Sequence, residues 1–242
     1  MESGQLLCGS EVYAKSSLVN AVFKLKQTKW LLLLVAIAGL LYNSWPLGYI
    51  LNNHTATNFL ASNLEATGQP YSWLFILGDI ITGLLIMAVG VYYWRHQKTC
   101  RSWLFKVTIF GFVSFGLITI VSAMLPFNCQ QSVYQCSVQL TTSFGIHDIV
   151  GAIGSIGQCF SLYGALRISL INYRSHHLHE LTFLAGFALW CASGLYFLIA
   201  SLTNATLAIF IQHFFIILSG VGLVLIPLAL DFKQKNNSSE VS

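Results

Sequence analysis

Residues 72–94 read SWLFILGDIITGLLIMAVGVYYW, an apolar stretch that contains a single charged side chain, Asp79. A helix rises 1.5 Å per residue, so about 20 such residues cross the hydrocarbon core of a bilayer, which is roughly 30 Å thick. The stretch lacks the strict alternation of polar and apolar residues that a membrane β-strand needs. It therefore predicts a transmembrane helix.

Comparable stretches recur along the 242 residues, and we predict six spans. The spans run approximately over 30–51, 72–94, 104–125, 144–166, 181–201 and 206–230. The predicted fold class is all-α, a polytopic helical bundle in the membrane. Residues 1–29 form an N-terminal tail, either partly ordered or carrying a short interfacial helix, and 30–230 form the transmembrane domain. Residues 231–242 form a polar tail that we expect to be disordered.

The composition agrees with this fold class, since 55% of the residues are hydrophobic and only 8% are charged. Soluble chains carry about 25% charged residues. This excludes a water-soluble enzyme and an intrinsically disordered protein. A formal charge of +4 from 12 basic residues forms no basic groove, so we expect the lipid bilayer and not nucleic acid as a partner.

The basic residues all fall on one side of the predicted membrane. Three loops, at about 52–71, 126–143 and 202–205, contain no Lys or Arg. Cytoplasmic loops retain basic residues near the ends of spans, so these three loops are predicted to lie outside and both termini in the cytoplasm. We expect a multi-pass protein of the plasma membrane.

The roles expected for the cysteines depend on where they lie relative to the membrane. Cys129 and Cys136 share an outer loop, which faces an oxidising compartment, and they predict a disulfide. Cys159 and Cys191 lie inside spans, where a cysteine usually acts as a small hydrophobic residue.

Polar side chains inside the spans gather at one depth. Ionisable residues in hydrocarbon cost about 2.5–3.5 kcal/mol, so they suggest function. The candidate ligand-binding residues, all in the outer third of the membrane, are Asp79, His147, Asp148, Gln212, His213 and Asn43. No Lys or Arg shares this layer, so the acids need an imidazolium, a bound cation or a proton as partner.

Each of these residues also has a purely structural interpretation. Asp148 can cap its helix, with His147 at headgroup level. Gln212 and His213 can form hydrogen bonds between helices. Asp79 lies about two turns into its span, too deep for a cap.

Metal binding is an alternative that the sequence leaves open. Asp79, His147, Asp148 and His213 could supply the three or four ligands that zinc needs. The chain has no HExxH and no GxSxG motif, so no catalytic motif supports an enzyme. We expect no cofactor, with zinc as the alternative.

Small residues line the fourth predicted span. They are Gly151, Gly154, Ser155, Gly157, Ser161 and Gly164. Small side chains let helix backbones approach closely, so the stripe predicts helix packing, with a lipid-binding groove as the alternative.

Several segments in order carry a family resemblance. They are Pro46–Tyr49, Ser62–Ala66, Gly68–Tyr71 leading into Trp73–Phe75 and Asp79, Pro126–Cys129 with Cys136, and His147–Asp148. With these segments the chain resembles the membrane family catalogued as domain of unknown function 998, over about residues 46–230. The resemblance implies six spans and a characteristic face formed by the outer loops, Asp79 and His147–Asp148. It implies no particular activity.

The sequence favours an outer-facing polar pocket that binds a lipid headgroup or a small solute. One alternative is a membrane-embedded, metal-dependent lipid hydrolase that uses Asp79, His147, Asp148 and His213. The other is a proton-linked carrier that uses Asp79.

Overall fold

The structure is a computed structural model that describes residues 17–51, 60–66, 68–96, 102–125, 146–172, 177–203 and 205–239. Nearly all of these described residues are helical. The helices are α1 (Ser17–Tyr42), α2 (Pro46–Leu51), the 3-10 helix η1 (Ala61–Glu65), α3 (Ser72–His96), α4 (Trp103–Met124), α5 (Ile146–Asn172), α6 (His177–Thr203) and α7 (Ala205–Ser239).

Five helices in the described part of the chain are long and apolar enough to cross a membrane. Their apolar parts are Ser72–His96, Trp103–Met124, Ile149–Ile171, Leu181–Ala200 and Leu207–Leu230. They coincide closely with the last five predicted spans. The all-α fold class and the multi-pass character of the protein are therefore confirmed.

The first predicted span, 30–51, is wrong as a single helix. Its apolar helical part ends at Tyr42, and a second helix starts at Pro46. Proline disfavours helical backbone in the residue before it, yet suits the first turn of a new helix. Pro46 therefore breaks the stretch into α1 and α2, and six continuous spans are not confirmed.

The break between α1 and α2 is closed by local hydrogen bonds. The backbone N–H groups of Asn43 and Ser44 donate to the carbonyls of Gly39 (3.1 Å) and Leu41 (3.0 Å). The N–H of Leu47 donates to the carbonyl of Ser44 (2.9 Å). These bonds satisfy backbone groups that an interrupted membrane helix would otherwise leave unpaired.

Five helices form a closed ring. Each of α1, α3, α4, α5 and α7 packs on its two neighbours in that order, and α7 packs back on α1. The sixth long helix, α6, lies outside the ring against α5 and α7. It is also the least enclosed span, with 22% of its apolar window buried.

Glycines let neighbouring backbones touch within this ring. A Cβ on Gly111 of α4 would meet the carbonyl oxygen of Gly157 on α5, and a Cβ on Gly83 of α3 would meet that of Gly116 on α4. In the small-residue stripe of α5, Gly154, Gly157 and Gly164 all face α4, and Gly151 faces open space. The packing role predicted for the stripe is confirmed for the three glycines that face α4.

Membrane orientation stays a prediction and can be tested with a reporter. A glycosylation or alkaline-phosphatase reporter fused after Asn128, between α4 and α5, is expected to behave as non-cytoplasmic. A matched fusion after Lys98, between α3 and α4, is expected to behave as cytoplasmic. The reverse result at both positions would refute the orientation.

Candidate functional site

A hydrogen-bonded pair of carboxyl groups lies where η1 meets α3. Glu65, the last residue of η1, and Asp79, in the second turn of α3, share this bond. An ionised carboxylate can only accept hydrogen bonds, so at least one of the two groups holds a proton. Burial raises the pKa of Glu65 to about 7, and the hydrogen bond with Asp79 partly offsets that rise.

Further acceptors surround the pair at the outer end of α1. Tyr42, the last residue of this helix, interacts electrostatically with both Asp79 and Glu65. Its neighbour Asn43 donates its side-chain Nδ2 to the carbonyl of Gly39 (2.9 Å). Among the described residues, the buried Oδ1 of Asn43 has no hydrogen-bond partner. The C-terminus of α1 also carries a partial negative charge. The region is therefore rich in acceptors and negative potential.

We call residues 43–51 and 60–66 the outer cap, because they lie at the end of the bundle that is predicted to face outward. Its apolar contact is a small cluster in which Leu64 (2% exposed) and Phe75 (4% exposed) pack with Trp45. A Cβ on Gly48 would collide with the Leu64 side chain, so α2 and η1 are in close contact. The cap is thus packed on α3.

Helix α7 also contacts the outer cap. The backbone N–H of Ala61 donates to Oε1 of Gln212 (2.8 Å). The Trp45 ring stacks on the His213 imidazole, with centroids 4.1 Å apart and planes inclined by 24°. The five-residue η1 therefore joins α3 to α7 through Glu65 and Ala61.

Four of the six predicted site residues lie in or against the outer cap. Asn43 belongs to the cap, and Asp79, Gln212 and His213 contact it. His147 instead lies on α5 with its Nδ1 3.5 Å from Oγ of Ser122 on α4. Asp148 follows it in α5, and its side chain is outside the described residues. Helix α5, which carries both residues, packs on α4 and also on α7, the helix that carries Gln212 and His213.

Three residues of the site were missed in the sequence. Glu65 lies in an outer loop, where a carboxylate is normally solvated, and Tyr42 and Trp45 resemble ordinary interface aromatics. One signal was available for Glu65, because it is the sole charged residue of loop 52–71 and belongs to the segment Ser62–Ala66 that carries the family resemblance.

Metal binding is the alternative chemistry predicted for this region. Within the described residues, no three His, Cys, Asp or Glu side chains come close enough to hold a metal ion. The zinc set that includes Asp148 and the disulfide between Cys129 and Cys136 both depend on side chains outside the described residues. They stay predictions.

A small cavity of about 30 Å³ lies away from the cap, between α5, α6 and α7. Its walls are apolar and include Leu162, Phe187, Trp190 and Leu218. It does not coincide with the outer-facing polar pocket that the sequence predicts.

The bond from η1 to Gln212 gives a direct test of the cap. Gln212→Leu removes the acceptor of the Ala61 N–H, and losing one hydrogen bond costs about 1 kcal/mol. We expect the Ala61 amide to exchange with deuterium roughly fivefold faster, as followed by hydrogen-exchange mass spectrometry. Gln212→Glu keeps an acceptor oxygen and serves as the control. Equal exchange in wild type and Gln212→Leu would refute this attachment of the cap.

Apolar helices of membrane-spanning length, packed in a ring that places carboxyl groups at one end, define an integral multi-pass membrane protein. The family model described as "Protein of unknown function (DUF998)" matches residues 30–237. The chain belongs to this family. No curated protein and no solved structure gives a significant match.

Proposed function

We propose that the protein binds a cationic group, an ammonium-bearing lipid headgroup or small solute, at the outer-facing site beneath the cap. The observation that carries this proposal is the carboxyl pair Glu65–Asp79. Two carboxyl groups in contact cannot both ionise without a counter-charge, and the predicted outer loops contain no Lys or Arg. A cation can take the place of the shared proton.

The neighbouring groups favour a cation over an anion. The Tyr42 hydroxyl, the Asn43 Oδ1 and the last carbonyls of α1 bring oxygen atoms or partial negative charge to the C-terminal end of this helix. Irregular backbone at membrane depth is tolerated where it is buried in protein or lines a cavity, and broken helices commonly supply ion and substrate sites. The break at Asn43–Trp45 therefore supports a binding role for this end of α1.

Lipid retention in nanodiscs tests the proposal. Protein in equal amounts of phosphatidylethanolamine, phosphatidylcholine and phosphatidylglycerol is analysed by native mass spectrometry. We expect the two ammonium-bearing lipids to be retained at least several-fold over phosphatidylglycerol in wild type, and equally with it in Asp79→Asn. A thermal shift with free ethanolamine or choline, without selective lipid retention, would identify a soluble solute instead. Absence of both effects would overturn the proposal.

Asp148→Asn is the matched control, because it removes a carboxylate from the same predicted layer on a different helix. If the carboxyl pair is the site, Asp148→Asn retains the lipid preference that Asp79→Asn loses. If Asp148→Asn loses it equally, the ligand is held by the wider set predicted from depth, and the assignment to the pair fails.

A proton-linked carrier is the second candidate, favoured by the proton that Glu65 and Asp79 share. In proteoliposomes, solute uptake driven by a pH gradient should then be lost in Asp79→Asn. Uptake that survives this substitution unchanged would eliminate the carrier. The metal-dependent hydrolase stays an alternative to be tested by metal analysis, in which a stoichiometric zinc lost in His213→Ala would favour it.

A further inference from the structure

Two cysteines of neighbouring helices lie at the same level in the middle of the bundle. Cys159 is 13 residues before the end of α5 at Asn172, and Cys191 is 14 residues after the start of α6 at His177. The two helices follow one another and pack together as an antiparallel hairpin. At 1.5 Å per residue, both cysteines are about 20 Å from the hairpin's turn. This places them deep in the hydrocarbon.

The two thiols are in direct contact. Both side chains are reduced and partly exposed, and they form a hydrogen bond to one another. A disulfide requires two cysteines whose side chains point toward each other, and the hydrogen bond between Cys159 and Cys191 shows that these two side chains do. They also flank the lipid-facing side chains of Phe160 and Leu195, which are 54% and 62% exposed. The pair is therefore open to molecules dissolved in the membrane.

We propose that Cys159 and Cys191 are a modification site, which organic hydroperoxides dissolved in the bilayer convert into a disulfide linking α5 to α6. The site is independent of the carboxyl pair. It differs from the predicted bridge between Cys129 and Cys136, which belongs to an outer loop. The relevant oxidant class is membrane-soluble, because water-soluble oxidants and charged thiol reductants do not partition into hydrocarbon.

The chemistry balances with a hydroperoxide as the named oxidant. The sulfur of one thiol attacks the terminal peroxide oxygen, the O–O bond breaks, and the thiol proton passes to the leaving oxygen, which departs as an alcohol. The resulting sulfenic acid reacts with the second thiol, forming the S–S bond and releasing water. Two sulfur atoms together lose two electrons, which reduce the peroxide to alcohol and water. The product is uncharged and suits an apolar environment.

The test uses the full chain in lipid nanodiscs treated with cumene hydroperoxide, which partitions into the bilayer. We expect two free thiols per chain to disappear and a peptide linked through Cys159 and Cys191 to be found by mass spectrometry without reduction. Hydrogen peroxide at the same concentration is expected to give at least tenfold less of this peptide. In Cys191→Ser, Cys159 should be oxidised to sulfinic acid and no linked peptide should form.

Two results would overturn the proposal. One is that both cysteines remain open to alkylation while Cys100, outside the apolar spans, is oxidised by the same treatment. The other is that copper phenanthroline, which joins any two thiols in contact, links the pair and cumene hydroperoxide does not. The first result refutes the accessibility of the pair, and the second refutes the class of oxidant. Neither depends on the folding of a variant.

Discussion

Gly111→Ala is expected to destabilise the bundle strongly, although it adds one methyl group. The added Cβ would lie 2.5 Å from the carbonyl oxygen of Gly157 and 2.7 Å from the backbone nitrogen of Ser161. These are backbone atoms of α5, so no side-chain rotation can relieve the contact, and α4 and α5 must separate. Overpacking of this kind costs about 1–3 kcal/mol, and we expect the upper end of that range.

Gly151→Ala is the matched control, because it makes the same substitution in α5, the helix that faces Gly111. A Cβ on Gly151 meets no atom of the described residues within 4 Å. Alanine is favoured over glycine in a helix by about 0.5–1 kcal/mol, so stability should stay equal or rise. Thermal unfolding in detergent measures both. Equal melting temperatures for Gly111→Ala and wild type would show that α4 and α5 are further apart than described.

Attachment of the outer cap is expected to weaken as the pH rises. The Glu65 carboxyl has a pKa of about 7 in the folded protein and 4.5 when free. Below pH 4.5 both states hold the proton, so the attachment is strongest there. Between pH 4.5 and about 7 only the folded state holds it, so stability is lost progressively as the pH rises through 7. With screening at this half-buried position, the loss is about 1–3 kcal/mol.

Hydrogen exchange of η1 amides, corrected for the intrinsic pH dependence, measures this effect. Protection in wild type should fall at least about tenfold between pH 5 and pH 8. Glu65→Gln keeps the size and hydrogen-bonding capacity of the side chain but cannot ionise, so its protection should be nearly constant. The same slope in Glu65→Gln and wild type would assign the pH dependence to another group.

The long helices could be predicted from the sequence because lipid imposes a simple rule on them. Every backbone polar group in hydrocarbon must be satisfied within the segment, so an apolar stretch of sufficient length has to be a helix. The stretches from Ser72 to Leu230 obey this rule. The stretch 30–51 also has sufficient length and hydropathy, but Pro46 interrupts the helix. Proline has no backbone N–H to donate, and a hydropathy value takes no account of this.

The candidate site could be predicted only in part. The sequence predicts how deep a residue lies in the membrane, but it does not predict where that residue lies around the bundle. Counting turns placed Asp79, Gln212 and His213 at one level, and in the structure all three contact the outer cap. Counting turns does not give the order of helices around the ring, in which α4 lies between α3, which carries Asp79, and α5, which carries His147. The hydrogen-bond partner of Asp79 is a second acid, Glu65, which lies in a predicted loop. Loops have no periodic residue pattern from which such a contact could be predicted.

The interruption after Tyr42 has a mechanical consequence for how the protein adapts to different lipids. Helices α3, α4, α5 and α7 are each continuous and long enough to cross the apolar layer, whereas the path through α1 and α2 is interrupted at Asn43–Trp45. Hydrophobic mismatch costs fractions of a kcal/mol per ångström, and the softest element takes it up first. We therefore expect α2, whose Leu47 and Ile50 face outward, to tilt when acyl chains shorten or lengthen. A change in acyl-chain length would then alter the surroundings of the carboxyl pair Glu65–Asp79.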